Sequence, residues 1–207
     1  MLISTVVVTE FMTNCFILGD EQTKKAFVID PGGDVDKIMR QIESMGLEVY
    51  AVVNTHAHVD HIGAIREIKD TTGALVMMHV SEQPLLQAAS KMGRLFGVHI
   101  QQPPDPDRYL SESDQIQCGS ITLTVIETPG HSPGGISLVT TDGKNCFVGD
   151  TLFAGSIGRT DLPGGDYNTL ISSIKTKLLP LGDDVKVYPG HGPATTIGTE
   201  KKYNPFL

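Results

Sequence analysis

Histidines in a fixed order are the feature of this chain that most restricts its fold. Residues 55–61 read Thr-His-Ala-His-Val-Asp-His, and each of two later histidines follows a Pro-Gly pair. Imidazole and carboxylate groups are the ligands that borderline metals such as zinc, manganese and iron prefer. The candidate ligands are His56, His58, Asp60, His61, His131, Asp150 and His191. These seven groups are too many for one tetrahedral ion, so the sequence predicts a site for two metal ions.

The candidate ligands share a position relative to the predicted strands. Short apolar runs end at residues 53, 127, 149 and 188, and one or more candidate ligands follow each run within a few residues. Ends of neighbouring strands lie close together at one edge of a sheet, where loops are supported by a rigid frame. The sequence therefore predicts that residues distant along the chain converge on one site.

Hydrophobic periodicity predicts an α/β protein with strands and helices in two similar halves. Predicted strands cover residues 3–8, 14–19, 26–29, 49–53, 74–78, 121–127, 135–140, 145–149 and 185–188, and the first three form a meander. Predicted helices cover residues 35–45, with Asp34 as the N-cap, and residues 62–72, 81–92 and 167–178. Residues 93–110 are predicted to be irregular and able to overhang the site. Two sheets packed face to face with helices outside form a four-layer αββα sandwich.

Composition limits the function. With 207 residues and 40% hydrophobic content, the chain can bury one substantial core, and we expect a single domain spanning residues 1–207. A net charge of −8 argues against a nucleic-acid-binding surface, which needs clustered lysine and arginine. No apolar run approaches the length of a membrane span, and the start of the chain lacks the features of a signal peptide. Three cysteines without a C-x-x-C pair indicate free, buried thiols in a reducing compartment, so we expect a cytoplasmic protein.

The order of these motifs resembles that of the metallo-β-lactamase superfamily, and the resemblance extends over essentially the whole chain. Asp30, after the third predicted strand, is similar to the aspartate of that superfamily's first motif. More narrowly, residues 55–61, 149–153 and 157–161 resemble motifs of the short type II glyoxalases, which are hydroxyacylglutathione hydrolases. The resemblance implies a metallo-β-lactamase-type αββα fold and a hydrolase whose partner is a small-molecule thioester, without nucleic acid or membrane.

The same resemblance implies a role for each ligand. One ion is held by His56, His58 and His131, the other by Asp60, His61 and His191, and Asp150 bridges both ions. We expect two divalent ions, zinc in the first place, with iron and manganese as alternatives. Asp60 also orients the attacking hydroxide, so Asp60 and Asp150 are the predicted catalytic residues. Arg159 stands where related glyoxalases have a basic residue that contacts glutathione. The guanidinium group of arginine can bind a carboxylate through two parallel hydrogen bonds, so the resemblance implies that Arg159 binds the substrate.

The chemistry of such a site agrees with thioester hydrolysis. Two divalent ions roughly 3.5–4 Å apart can share a water molecule, lower its pKa toward neutrality and present hydroxide beside a polarised carbonyl. No serine or cysteine nucleophile is then needed. A metal can stabilise the tetrahedral oxyanion, and a thiolate with a free pKa of about 8.5 leaves without a strong general acid.

Asp30, His79 and His99 are not among the candidate ligands. Asp30 either accepts a hydrogen bond from a ligand imidazole and fixes its tautomer, or is an ordinary turn residue before Pro-Gly-Gly. His79 and His99 match no motif, and we expect them to be ordinary histidines at a strand end or in a loop.

Other functions remain alternatives on this scaffold. A persulfide dioxygenase uses one iron held by two histidines and an aspartate, which His56, His131 and Asp150 can supply. A metal-stabilised binding module without chemistry is a third class, but it leaves a complete set of ligands unused. True β-lactamases commonly have a cysteine where Asp150 stands, so the sequence disfavours antibiotic hydrolysis.

Overall fold

The structure, a computed structural model, describes every residue from Met1 to Leu207. The chain divides into two compact units. The first comprises Met1–Leu110 and Gln117–Ile121, and the second comprises Ser111–Ile116 and Thr122–Leu207. One six-stranded sheet lies in the first unit, and the other lies chiefly in the second.

The sheet of the first unit follows the order of the chain. Its strands are β1 (Leu2–Val8), β2 (Thr13–Gly19), β3 (Lys25–Ile29), β4 (Glu48–Val53), β5 (Leu75–His79) and β6 (Arg108–Leu110). Short turns join β1, β2 and β3, which therefore pair antiparallel, whereas longer connections allow β3, β4, β5 and β6 to pair parallel. The predicted meander at the start of the chain is confirmed.

Helices in the connections cover this first sheet. They are α1 (Val35–Ser44), α2 (Val59–Ile62), α3 (Ile65–Thr72), the 3₁₀ turn Val80–Glu82, α4 (Gln83–Gln87) and α5 (Ala89–Leu95). Ile38 and Ile42 lie one turn apart on α1, and Ile65 and Ile68 lie almost one turn apart on α3. All four side chains are buried in the core of the first unit, so each helix has one apolar face against the sheet.

The second sheet combines antiparallel and parallel pairs. Its strands are β7 (Gln115–Cys118), β8 (Ile121–Glu127), β9 (Ile136–Thr140), β10 (Asn145–Gly149), β13 (Lys186–Pro189) and β14 (Thr195–Thr196), in the spatial order β14-β13-β10-β9-β8-β7. A small hairpin of β11 (Leu152–Phe153) and β12 (Ser156–Ile157) follows β10. β10 and β13 pair parallel, so both strands end at the same edge of the sheet.

Two helical segments accompany the second sheet. α6 (Tyr167–Ser173) continues as a π-helical segment, Ile174–Leu178, and a 3₁₀ turn, Leu179–Leu181. α7 (Ile197–Tyr203) follows β14. Leu170, Ile174 and Leu178 are fully buried in the core of the second unit, which confirms the inward face predicted for the segment 167–178.

Strand predictions succeed better than helix predictions. The predicted strands are confirmed with ends that differ by at most one residue. The helix predicted over residues 62–72 begins at Val59 and is interrupted between α2 and α3, and the one predicted over 81–92 is divided around Ala88. Pro84 lies in the first turn of α4 and has no N–H to donate, which favours a new helix start there.

Asp34 occupies the N-cap position of α1, as the sequence predicts, but its side chain does not cap the helix. Its backbone is left-handed, with φ of +49°, and its side chain makes no capping hydrogen bond. Instead, Oδ2 of Asp34 accepts a hydrogen bond from the main-chain N–H of Thr9, at 2.9 Å. A tertiary contact with the β1–β2 turn therefore replaces the local cap.

The three cysteines are free and buried, as predicted. Burial raises the pKa of the Cys146 thiol to about 12 and that of Cys118 to about 11, and burial together with the charge of Asp30 raises the pKa of Cys15. Thiolates are the reactive form of cysteine, so none of these groups is suited to nucleophilic attack. No helix has the length and apolar character needed to cross a membrane.

Phe147 is expected to carry a large share of the stability of the second unit. It is fully buried on β10, and its ring stacks on Tyr188 of β13 with centroids 4.8 Å apart. Phe147→Ala should lower the free energy of unfolding by about 3–5 kcal/mol, because it leaves a cavity in a packed core. Chemical denaturation followed by circular dichroism measures this loss.

Phe206→Ala is the matched control for this substitution, since Phe206 is exposed. Its effect should stay within about 0.5 kcal/mol. Equal losses in the two variants would contradict the assignment of Phe147 to the core.

Candidate metal centre

Four predicted ligands lie between the end of β4 and the end of α2, in the first unit. His56 and His61 are buried, whereas His58 and Asp60 are partly exposed. His58 immediately precedes α2, and Asp60 and His61 lie within it. The ring of His56 is 4.8 Å from that of His58 and 4.1 Å from that of His61, measured between centroids. The structure thus gathers these imidazoles into one cluster.

Asp30 orients two of these imidazoles. It follows β3, the parallel neighbour of β4, so its carboxylate lies at the same sheet edge as residues 54–56. Its Oδ1 accepts the main-chain N–H of Thr55 at 2.7 Å, and its Oδ2 accepts the Thr55 hydroxyl at 2.6 Å. Nδ1 of His61 lies 3.1 Å from the same Oδ2. Of the two interpretations of Asp30, contact with a ligand imidazole is therefore the observed one.

The network extends to His56 through the threonine. Oγ1 of Thr55 donates to Asp30, so it is placed to accept from Nδ1 of His56, which lies 3.1 Å away. Nδ1 of His56 and Nδ1 of His61 thus both take part in the hydrogen-bond network around Asp30. Nε2 is then the nitrogen that each ring would present to a metal ion, which is the usual consequence of a partner on the other nitrogen. Because both oxygens of Asp30 accept these hydrogen bonds, we assign Asp30 as a positioning residue instead of a ligand.

Close backbone contact explains the glycine that follows Asp30 and Pro31. A Cβ at Gly32 would lie 1.7 Å from the carbonyl oxygen of Asp60, so no other residue fits there without moving α2. The carbonyl of Pro31 also accepts the N–H of Ala64 at 2.9 Å. The Asp-Pro-Gly-Gly turn therefore fixes the position of the helix that bears two predicted ligands.

Glu82 is a supporting residue that the sequence did not reveal. It lies in the 3₁₀ turn after β5, is fully buried, and accepts the N–H of Ala57 at Oε2, at 2.7 Å. Ala57 separates His56 from His58, so the glutamate holds the main chain between two predicted ligands. A lone glutamate in an apolar helical stretch carries no pattern that would indicate this role.

The other three predicted ligands form a second cluster, in the second unit. Oδ2 of Asp150 lies 3.6 Å from Nε2 of His131 and 3.5 Å from Nε2 of His191. Asp150 follows β10 and His191 follows β13, and the parallel pairing of these strands places Gly149 opposite Pro189. The main-chain N–H of Gly190 also donates to the carbonyl of Gly149 at 2.8 Å. The shared sheet edge is what brings the aspartate and the histidine together.

A main-chain carbonyl orients His131. Nδ1 of His131 lies 2.7 Å from the carbonyl oxygen of Arg159, so this ring also presents Nε2 toward Asp150. A Cβ at Gly158 would lie 1.8 Å from the carbonyl oxygen of Asp150 and 3.2 Å from Nδ1 of His131. Glycine is therefore required at position 158, which explains the Gly-Arg pair in the motif at residues 157–161.

The side chain of Arg159 forms a bidentate ion pair. Its Nε donates to Oδ1 of Asp161 and its Nη2 to Oδ2, both at 2.7 Å. The side chains are 59% and 68% exposed, so solvent screens this pair. The Arg159 hydrogen bond is the main reason that the pKa of Asp161 falls to about 2, and the aspartate therefore stays ionised at neutral pH. The Nη1–Nη2 edge of the guanidinium faces away from these two bonds and can bind a second carboxylate.

The remaining histidines lie outside the two clusters. His79 ends β5, and its Nδ1 accepts the N–H of Ser81 at 3.2 Å, which caps the 3₁₀ turn. His99 is an exposed loop residue. Both agree with the ordinary roles that we expected. All seven predicted ligands thus fall in the two clusters, while their binding of metal stays a prediction.

Comparison with known proteins identifies the family. The family model of the metallo-β-lactamase superfamily matches residues 8–191, which include every predicted ligand. The chain belongs to the metallo-β-lactamase superfamily. The metallo-β-lactamase fold predicted from the sequence is confirmed, and that fold implies the binding of divalent metal ions.

Similar members of the superfamily span the whole chain. Hydroxyacylglutathione hydrolase GloC of Haemophilus influenzae is 40% identical over 209 residues, which cover 100% of this chain and 98% of that protein. The crystal structure of BLEG-1 B3 metallo-β-lactamase is 39% identical and covers 100% of this chain and 99% of its own, with a TM-score of 0.93. TTHA1623 in a di-iron-bound form is 36% identical and covers 99% and 100%, with a TM-score of 0.90.

Asp30→Asn should weaken metal binding by about 10- to 100-fold, because an amide cannot accept all the hydrogen bonds that orient His61 and Thr55. The fold should survive, since Asn tolerates the left-handed conformation of residue 30, whose φ is +52°. Competition with a chromophoric chelator measures the zinc affinity of this member of the superfamily.

Asp36→Asn is the matched control, because Asp36 is an exposed aspartate on α1. It should bind zinc like the unmodified chain. Unchanged affinity in Asp30→Asn would show that the buried carboxylate does not position the ligands.

Proposed function

We propose that this protein is a binuclear metal-dependent thioester hydrolase that acts on hydroxyacylglutathione or a similar small thioester. Two observations together support this proposal. The chain has two His/Asp clusters, and it is similar over its full length to a protein named as a hydroxyacylglutathione hydrolase. The three unpaired, buried thiols agree with a reducing, cytoplasmic location.

We propose the metal assignment that the sequence resemblance implies. His56, His58 and His131 hold one ion, Asp60, His61 and His191 hold the other, and Asp150 is shared. The donors fit divalent zinc, iron or manganese, because they are imidazole nitrogens and carboxylates whose partners leave Nε2 as the coordinating atom at three of the histidines. Asp150 adds a negative charge between two imidazoles, which favours two cations close together.

Two divalent ions bound here would acidify a water molecule and polarise the thioester carbonyl. In this proposal Asp60 would orient that water. Its Oδ2 lies 3.4 Å from the hydroxyl of Thr13 and 3.6 Å from Nε2 of His61, so the carboxylate is held in a defined position. Water is the only nucleophile required, which agrees with the raised pKa of all three thiols. The leaving thiolate departs without a strong acid.

Two other activities have a specific observation in their favour. The similarity to a protein in a di-iron-bound form supports iron as the metal. A persulfide dioxygenase with one iron is the second candidate, because His56, His131 and Asp150 could hold a single iron. The similarity to BLEG-1 B3 metallo-β-lactamase supports tests with a β-lactam, despite an aspartate at position 150. We favour thioester hydrolysis because an enzyme of one iron has no need for Asp60, His61 and His191 as ligands.

Purified protein loaded with zinc, manganese or iron should cleave S-lactoylglutathione without oxygen, and a chelator should abolish the activity. Absorbance of the thioester bond measures cleavage, and elemental analysis should approach two metal equivalents per chain. An oxygen electrode with glutathione persulfide and a chromogenic cephalosporin test the two alternatives on the same samples. Oxygen uptake by the iron-loaded protein, without thioester cleavage under any metal, would overturn the proposal.

Arg159→Ala should raise the KM for S-lactoylglutathione about tenfold, while kcat changes less than about threefold. A guanidinium that binds a remote carboxylate stabilises the ground state and the transition state equally, so its loss raises KM and leaves kcat nearly unchanged. The loss of one charge-assisted hydrogen bond corresponds to a change in KM of about tenfold or more. The metal content should not change, because the group that contacts His131 is the main-chain carbonyl of residue 159.

Lys201→Ala is the control for the loss of an exposed ion pair. Lys201 and Asp183 are 56% and 66% exposed, close to the values for Arg159 and Asp161. Its kinetics should equal those of the unmodified protein. If Arg159→Ala behaves in the same way, Arg159 does not bind the substrate.

A further inference from the structure

A cleft of about 440 Å³ in the first unit opens beside Asp60. The turn that joins β1 to β2, at residues 9–12, contributes Phe11, and the irregular segment after α5 contributes residues 97–101. The rest of the lining includes the Gly32-Gly33 turn and the two residues between α2 and α3, Gly63 and Ala64. The irregular segment predicted to overhang the site therefore lies beside a predicted metal ligand.

The cleft has both apolar and polar lining, and its permanently charged side chains are all acidic. Phe11, Val98 and Ile100 supply apolar surface, and Ile100 also packs against the core of the first unit. Carboxylates are contributed by Glu10, Asp34, Asp60 and Glu67, His99 adds an imidazole, and no lysine or arginine lines the cleft. A group that enters this space is therefore favoured when it is apolar and disfavoured when it is anionic.

The turn that bears Phe11 is held in a costly conformation. Thr9 has φ of +59° and Met12 has φ of +58°, although neither is glycine and Thr9 is β-branched. Asp34 holds this conformation by accepting the N–H of Thr9, at 2.9 Å, and Oγ1 of Thr9 accepts the N–H of Phe11, at 3.3 Å. Phe11 is nevertheless 36% exposed. Strain that keeps an exposed aromatic ring at the wall of a cleft is typical of a binding site.

We infer that this cleft binds the acyl group of the thioester, and that the preferred acyl group is uncharged, apolar and larger than lactoyl. The inference rests on the proposed function, in which Asp60 lies at the reacting carbonyl. The volume falls in the range of pockets that enclose whole small molecules and greatly exceeds a three-carbon acyl group. The glutathione part carries carboxylates, which suit Arg159 and are repelled by this lining. The acyl group is therefore the part that the cleft accepts.

A series of glutathione thioesters tests the acyl preference on the metal-loaded protein. From lactoyl through butyryl to hexanoyl, kcat/KM should rise, on the order of two- to fourfold per added methylene that enters the cleft. Succinyl, which is the length of butyryl but anionic, should react at least about tenfold more slowly than butyryl. A kcat/KM that is the same for all four acyl groups would overturn the inference.

Substitution of Phe11 tests the wall of the cleft. Phe11→Ala should lower kcat/KM for the hexanoyl thioester about tenfold, and the loss for the lactoyl thioester should be several times smaller because a three-carbon acyl group makes less contact with the ring. Phe11→Leu should restore most of the hexanoyl activity, because it returns apolar surface. Phe206→Ala, which removes an aromatic ring that is 44% exposed and does not line the cleft, should change neither substrate. Equal losses on both thioesters in Phe11→Ala would place Phe11 outside the acyl site.

A binding measurement separates this inference from the proposed function. The chain has no tryptophan, so Phe11→Trp introduces a single fluorophore at the cleft. S-Hexylglutathione, a thioether that cannot be hydrolysed, should shift its emission, and S-methylglutathione should not. A shift without cleavage of any thioester would retain the cleft and reject the hydrolase. Cleavage of thioesters without an emission shift and without an effect of acyl chain length would retain the hydrolase and reject the cleft as the acyl site.

Discussion

The buried carboxylate of Asp30 is the group on which the first cluster of ligands depends. Its two oxygens accept hydrogen bonds from the main chain and hydroxyl of Thr55 and lie beside the ring of His61. Such bonds are strong in a low-dielectric interior, and the partners cannot turn to water as a substitute. Through Thr55 the same carboxylate reaches His56, so one side chain sets the orientation of two imidazoles. The close fit of Gly32 against Asp60 then fixes the helix that carries Asp60 and His61.

In the second cluster, main-chain groups position and orient the predicted ligands. Parallel pairing of β10 and β13 places Asp150 and His191 at one edge, and the carbonyl of Arg159 takes the role for His131 that Asp30 has for His61. Rigid strands therefore supply position, and hydrogen bonds to Nδ1 supply orientation. The two clusters differ in the kind of supporting group, since Asp30 acts through its buried side chain whereas Arg159 acts through its main-chain carbonyl.

Apolar runs were sufficient to predict nine of the fourteen strands, and motif order was sufficient to locate the candidate ligands, because both depend on neighbours in sequence. The strands β6, β7, β11, β12 and β14 have only two to four residues each and were missed, and β6 lies in the segment predicted to be irregular. Asp34 was placed correctly at the start of α1, but its carboxylate accepts from Thr9, a partner in a distant turn that no local pattern reveals. Glu82 was missed for the same reason, since its contact with Ala57 follows from the packing of a 3₁₀ turn against a loop. The pairing of Arg159 with Asp161 and the carbonyl contact with His131 depend on backbone path, which residue identity does not encode.

The support of His131 by a carbonyl has a consequence for divergence within the family. Every amino acid supplies the same carbonyl, so position 159 can change its side chain while the histidine keeps its orientation. Gly158, in contrast, admits no replacement without displacing Asp150. In the proposed function, recognition of new substrates and retention of the reacting centre thus fall to adjacent residues with independent constraints. A scaffold arranged in this way can acquire different specificities through single substitutions that leave its chemistry intact.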